Sequence, residues 1–132
     1  MLARIAPLLG LLALPIALAC GSERSELPPD QLMAILAKPD SPLLLDVRTP
    51  EEFARGHIPG ARLVPVGELP GRVAELAPFE ARGVVTYCEK GPRAERAADV
   101  LRAAGFQNVH PLAGSFARWR AEGREVAVAP SP

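Results

Sequence analysis

Residues 84–101 read VVTYCEKGPRAERAADVL. An apolar-leaning run from Val84 ends in Cys88, Gly91 and Pro92 turn the chain, and from Arg93 onward small and apolar residues recur at helical spacing. A short continuous apolar run marks a strand buried on both faces. The segment therefore predicts a strand, a tight loop and a helix, with a cysteine at the junction. Ala94, Ala97, Ala98, Leu101 and Ala104 fall on one helical face, where small side chains let a helix lie close to a sheet, and Gly105 is placed to cap its end.

The same grammar repeats on either side. LPPDQLMAILAK (27–38) predicts a helix starting near Asp30, with Leu32, Ile35 and Leu36 on one face and Met33 as packing. PLLLDV (42–47) is a second buried strand. In TPEEFARG (49–56), Thr49 caps a helix, Pro50 suits its first position and Glu52 completes a capping box. HIPGARLVPV (57–66) gives a turn at Pro59–Gly60 and a strand from Leu63 to Val66. GELPGRVAELAPF (67–79) predicts a helix, NVHPL (108–112) a strand and SFARWRAEG (115–123) a closing helix. Strands separated by helices of this length imply a mostly parallel sheet covered on both faces, which binds ligands at the carboxyl ends of its strands. Cys88 ends such a strand.

Composition narrows the function. The 132 residues suit one domain, and 48% apolar with 23% charged residues suits a packed core. Fifteen basic residues balance fifteen acidic ones. Neither the basic field nor the aromatic platform that nucleic-acid binding needs is present.

The first twenty residues, MLARIAPLLGLLALPIALAC, carry one charge, Arg4, then an apolar run to Ala19. At about fifteen residues the run falls short of the roughly 20 a membrane span requires. A charged start, an apolar middle and small residues at Ala17 and Ala19 describe an export signal over residues 1–19. ALAC resembles the lipobox of bacterial lipoproteins, although Ala17 and Leu18 depart from the usual residues. Lipidation of Cys20 and ordinary cleavage after Ala19 are the two readings. Residues 20–26 then form a polar tether, 27–128 the domain and 129–132 a tail. A lipidated Cys20 leaves Cys88 unpaired, and an unpaired thiol in an oxidising compartment needs a task; a Cys20–Cys88 disulfide is the alternative.

A thiol acts as a nucleophile in its charged form. Here the short loop Glu89, Lys90, Gly91 and Pro92 turns backbone N–H groups inward, the following helix directs its positive end at the sulfur, and Arg93 adds a planar cation. The same cradle suits a persulfide, which is also an anion.

Three segments carry a family resemblance. LLLDVRTPEEFARGHIPGA (43–61), VVTYCEKGPRA (84–94) and AGFQNVHPLAGSFARW (104–119) resemble, in order, the N-terminal signature, the active loop and the C-terminal signature of single-domain rhodaneses, with Ser115 where a second glycine is more usual. The resemblance spans about residues 27–128. It implies a five-stranded, mostly parallel sheet with helices on both faces. It also implies a sulfurtransferase cycle in which Cys88 takes sulfur from thiosulfate or another persulfide donor and passes it to a thiol, protein thiols included, or to cyanide. No metal or other cofactor is implied, and a membrane enters only through a lipid anchor, placing the protein in the bacterial cell envelope, on its periplasmic side. The Cys88–Arg93 loop has the length of the sulfur-transferring members, whereas related phosphatases and arsenate reductases use one residue more.

Glu89 departs from the family, which often has a basic residue there. Either its carboxylate opposes anion binding, with Lys90 a partial offset, or it faces solvent. Asp46 is expected to orient the loop through backbone N–H groups, as the matching aspartate does in the family; the plain alternative is a turn residue. Arg48 is expected to pair with a loop or helix carboxylate such as Glu52. His57 is expected to fix its turn, and His110, Phe116 and Trp119 to be structural. A non-catalytic rhodanese module that binds a partner or senses redox state through Cys88 is the competing function, and Glu89 is the feature that supports it.

Overall fold

The computed structural model describes residues 25–129; the segment expected to be an export signal, Cys20 and most of the expected tail fall outside them. Four parallel strands form the sheet: β1 (Leu43–Asp46), β2 (Arg62–Leu63), β3 (Val84–Tyr87) and β4 (Val109–Pro111), in the order β2-β1-β3-β4. Five helices accompany them: α1 (Pro29–Leu36), α2 (Pro50–Arg55), α3 (Leu69–Arg72), α4 (Pro92–Ala103) and α5 (Ser115–Ala121).

The expected fifth strand is reduced to one pairing. Leu27 forms a parallel bridge with Leu112 beyond β4, its N–H donating to the Pro111 carbonyl at 2.8 Å and its carbonyl accepting from Ala113 N–H at 2.9 Å. Pro28 and Pro29 follow at once, and proline has no N–H with which to extend a ladder. The strand expected over Leu63–Val66 is assigned at Arg62–Leu63, although Val64 and Val66 still donate to the carbonyls of Asp46 and Val47, both at 3.0 Å.

Period-two alternation divides the core. Leu43, Leu45, Val47, Val84 and Cys88 face α4, against Ala94, Ala97, Ala98 and Leu101. Leu44, Val85 and Tyr87 face the other way, onto Leu32 of α1 and onto Phe116 and Trp119 of α5. Both faces are therefore covered, as a parallel sheet requires. Ala104 departs from its expected buried face: α4 ends at Ala103, and Ala104, its C-cap, is exposed. Gly105 at φ 100° then turns the chain so that Phe106 N–H donates to the Leu101 carbonyl.

The capping box on α2 is complete, with Thr49 Oγ1 accepting from Glu52 N–H and Glu52 Oε1 from Thr49 N–H, both at 3.2 Å. The helix expected over 67–79 splits into α3 and a 3-10 helix, Val73–Phe79, containing Pro78. Met33 is 52% exposed instead of packed, and Arg124 Nη1 lies 2.9 Å from its sulfur. Its neighbour Leu32 takes the core position, because a helix this short presents only a narrow stripe to the sheet.

Candidate active site

β3 is central in the sheet, and Cys88 follows it directly. Its main chain is clamped from α5: Phe116 N–H donates to the Cys88 carbonyl at 3.0 Å and Ala117 N–H to the Glu89 carbonyl at 2.9 Å. The loop then turns through Gly91, whose φ of +129° disfavours any residue with a Cβ. This turn aims Gly91 N–H at Cys88 Sγ, 3.0 Å away. The sequence reading expected several loop amides around the sulfur; among the described residues Gly91 is the loop amide that bonds it. Pro92 opens α4 exposed, and Lys90 is exposed as well.

A second polar group meets the cysteine from α5. Ser115, fully buried, accepts Cys88 N–H on its hydroxyl at 3.3 Å and places the same oxygen 3.9 Å from Sγ. The sequence flagged Ser115 only as a departure at a glycine position, and its distance from Cys88 along the chain hid the contact.

Arg93 does not present a free fork. Nη1 and Nη2 bond the two carboxylate oxygens of Glu52 at 2.7 and 3.0 Å. That pair holds the Glu52 carboxyl down to about 2, with Arg93 the main cause and the α2 cap a further one. The guanidinium is raised in turn, first by Glu52 and further by Cys88. Glu52 thus ties α2 to α4 beside the loop, a task concealed in the sequence by its evident capping role.

Asp46 orients no loop amide. Both its oxygens go to Arg48: Oδ1 accepts from Arg48 N–H and Nε at 3.0 Å, and Oδ2 from Nη2 at 2.7 Å and Nε at 3.1 Å. Arg48 meets a loop carboxylate as expected, but that of Glu89 and not Glu52. It donates to the Gly56 carbonyl at 2.7 Å, lies 3.6 Å from Glu89 and covers the Phe116 ring at 4.3 Å. Asp46 and Arg48 are 0% and 2% exposed, so each charge depends on the other. Burial pushes the Arg48 guanidinium down, and the bonds and charge of Asp46 outweigh it, leaving the group above its ordinary range. Asp46 therefore acts on the loop through Arg48 and Glu89, an indirect route that the spacing of residues did not reveal.

Glu89 neither crowds the sulfur alone nor stands free in solvent. Its carboxylate is bound by Arg120 of α5 and faces Arg48, so two arginines offset it where Lys90 was expected to. A cleft of about 340 Å³ opens here, lined in part by Arg48, Glu52, Glu89, Phe116 and Arg120. His57 holds the turn: its Nδ1 donates to the Phe53 carbonyl at 2.9 Å and its ring stacks on Phe53 at 3.7 Å. His110 Nδ1 bonds the Ser25 carbonyl at 3.0 Å, and Phe116 and Trp119 are core.

Comparison with known proteins places this arrangement. Residues 28–122 match the rhodanese-like domain. A sulfurtransferase of Allochromatium vinosum is 36% identical over 106 residues, spanning 80% of this chain and 96% of that protein. The thiosulfate sulfurtransferase GlpE of Pseudomonas putida is 34% identical over 100 residues, spanning 76% and 88%. The crystal structure of the Alr3790 protein from Anabaena superposes with a TM-score of 0.70 at 30% identity, covering 78% of this chain and 82% of that one. With a cysteine loop between a parallel strand and a helix, and with these relatives, the chain belongs to the rhodanese-like family.

Proposed function

We propose that the protein is a sulfurtransferase that carries sulfane sulfur as a persulfide on Cys88. The observation that carries this reading is the 3.0 Å bond from Gly91 N–H to Cys88 Sγ at the start of α4. A backbone donor fixed on the sulfur favours negative charge there before and after transfer.

In the first half-reaction the Cys88 thiolate attacks the outer sulfur of thiosulfate. A new S–S bond forms, and sulfite leaves with the electron pair of the bond that breaks. In the second, a thiolate or cyanide attacks the outer sulfur of the persulfide and Cys88 departs as thiolate. No net oxidation occurs, and two modest barriers replace one large one.

The test is thiosulfate-to-cyanide turnover by the full chain, with peptide mass analysis for a 32 Da adduct (one sulfur atom) on Cys88 and Cys88→Ser as control. Turnover that persists in the serine variant, or absence of both turnover and adduct in the parent, rejects the proposal; the latter result favours a non-catalytic module.

We further propose that the protein works in the bacterial cell envelope on its periplasmic side, tethered by lipid on Cys20. Residues 1–20 support this by their charged start, apolar middle and small residues before the cysteine. Intact mass of the membrane-fraction protein decides it: acyl chains on Cys20 are expected, and a soluble form beginning at Cys20 without them overturns it.

A further inference from the structure

Ser115 is the one non-glycine residue with positive φ among the described residues, at +50°. Glycine adopts this conformation without steric penalty, whereas a serine is strained there. Strain of this kind persists where the surroundings hold it, and here they hold a hydroxyl against the cysteine. The residue is 0% exposed, Cys88 N–H donates to its oxygen at 3.3 Å, and Sγ lies 3.9 Å from the same atom. A hydroxyl has one hydrogen to give and two lone pairs to receive with. Cys88 N–H occupies one lone pair, which leaves the hydrogen. A sulfur without its proton can only accept.

We propose that Ser115 is a thiolate-stabilising residue, its hydroxyl donating to Cys88 Sγ in addition to Gly91 N–H. The inference rests on Cys88 being the sulfur carrier. The sulfur thus has two donors, one from the backbone of its own loop and one from the side chain of the first residue of α5. Both donors are also in place when Sγ loses its negative charge to the incoming donor sulfur and recovers it as the persulfide is discharged. The hydroxyl moves no proton through the cycle. It turns between accepting from a neutral thiol and donating to the charged one, while its bond from Cys88 N–H keeps the oxygen in position.

The charged groups around the sulfur are Arg93 of α4, bound to Glu52 of α2, and Glu89 and Lys90 of the loop. Arg48 after β1 and Arg120 of α5 reach the loop at Glu89. None of these side chains has a hydrogen bond to Ser115, so removing the hydroxyl leaves the charges paired as they are.

The test follows alkylation of Cys88 by iodoacetamide against pH in the full chain, read at the Cys88 peptide so that Cys20 does not contribute. Ser115→Gly removes the hydroxyl and relaxes the backbone; Ser115→Ala removes it and keeps the Cβ. In both, the alkylation midpoint is expected to rise by about half to one pH unit, equivalent to a roughly three- to tenfold smaller thiolate fraction below the midpoint. A purely structural serine predicts an unchanged midpoint in Ser115→Gly, and that result overturns the proposal. A rise in Ser115→Ala alone also overturns it, since it assigns the effect to the backbone. Should Ser115→Ala fail to fold, Ser115→Gly decides. The midpoint does not depend on sulfur transfer: a rise without any persulfide on Cys88 leaves Ser115 in this role while rejecting the sulfurtransferase reading.

Discussion

Glu52 binds Arg93 through both carboxylate oxygens, at 2.7 and 3.0 Å, while its backbone and Oε1 complete the cap of α2. One side chain therefore couples the helix after β1 to the helix that begins behind the cysteine. The carboxyl stands at about 2 in the folded protein against 4.5 for the free group. Because the folded value is depressed, its contribution to stability is full above pH 4.5 and is lost as pH falls from 4.5 toward 2, where the unfolded chain takes up the proton first. With screening at this partly exposed pair, the loss is on the order of 1–2 kcal/mol. Urea unfolding across that interval is expected to show a steeper decline for the parent than for Glu52→Gln, which keeps an oxygen for the cap; equal slopes refute the coupling.

Asp46→Asn is expected to destabilise strongly. The Arg48 guanidinium, 2% exposed, loses the charge that balances it, and removing one partner of a buried pair costs about 3 kcal/mol or more. Chemical denaturation measures this directly, and a loss below about 1 kcal/mol means that Glu89 and the Gly56 carbonyl suffice for Arg48.

Gly91→Ala meets no neighbour within 4 Å, so crowding plays no part in its effect. The cost comes from φ +129°, at about 1–3 kcal/mol, and the chain relieves it by rotating the N–H away from Sγ. Slower persulfide formation in stopped-flow, with sulfite release as the readout, is the expected result. A stable variant with parental rates shows that the amide is dispensable.

Glu89→Gln removes a carboxylate from the cleft rim and frees Arg120 and part of Arg48. The KM for thiosulfate is expected to fall about two- to fivefold, with the difference shrinking at high salt. An unchanged KM shows that the two arginines already cancel Glu89.

Tyr87 carries a buried hydroxyl that accepts Ile58 N–H at 3.1 Å, and burial, reinforced by the Asp46 charge, pushes it well above the ordinary phenol range. No phenolate absorbance from Tyr87 is expected below the alkaline unfolding transition. Spectrophotometric titration that detects tyrosinate in the folded protein contradicts this packing.

The amino-acid order determines the alternation of strand and helix, the caps and the cysteine loop, because each depends on neighbours within a few residues. Thr49 and Glu52 lie three apart, apolar runs announce buried strands, and Gly91 followed by Pro92 dictates a turn into a helix. The missing length of the fifth strand was also local, written in Pro28 and Pro29, but its partner Leu112 was not. Only the tertiary structure decided which polar groups meet: Arg93 with Glu52, Asp46 with Arg48, Glu89 with Arg120, and Ser115 with Cys88. All but one of these pairs join residues 27 or more positions apart, and for Asp46 and Arg48 the sequence pointed to other partners, loop amides and a carboxylate such as Glu52. Several carboxylates and guanidinium groups compete at one sheet edge, and the outcome follows from the directions that β1, β3 and their helices impose on side chains, a property of the packed chain and not of any short segment of it.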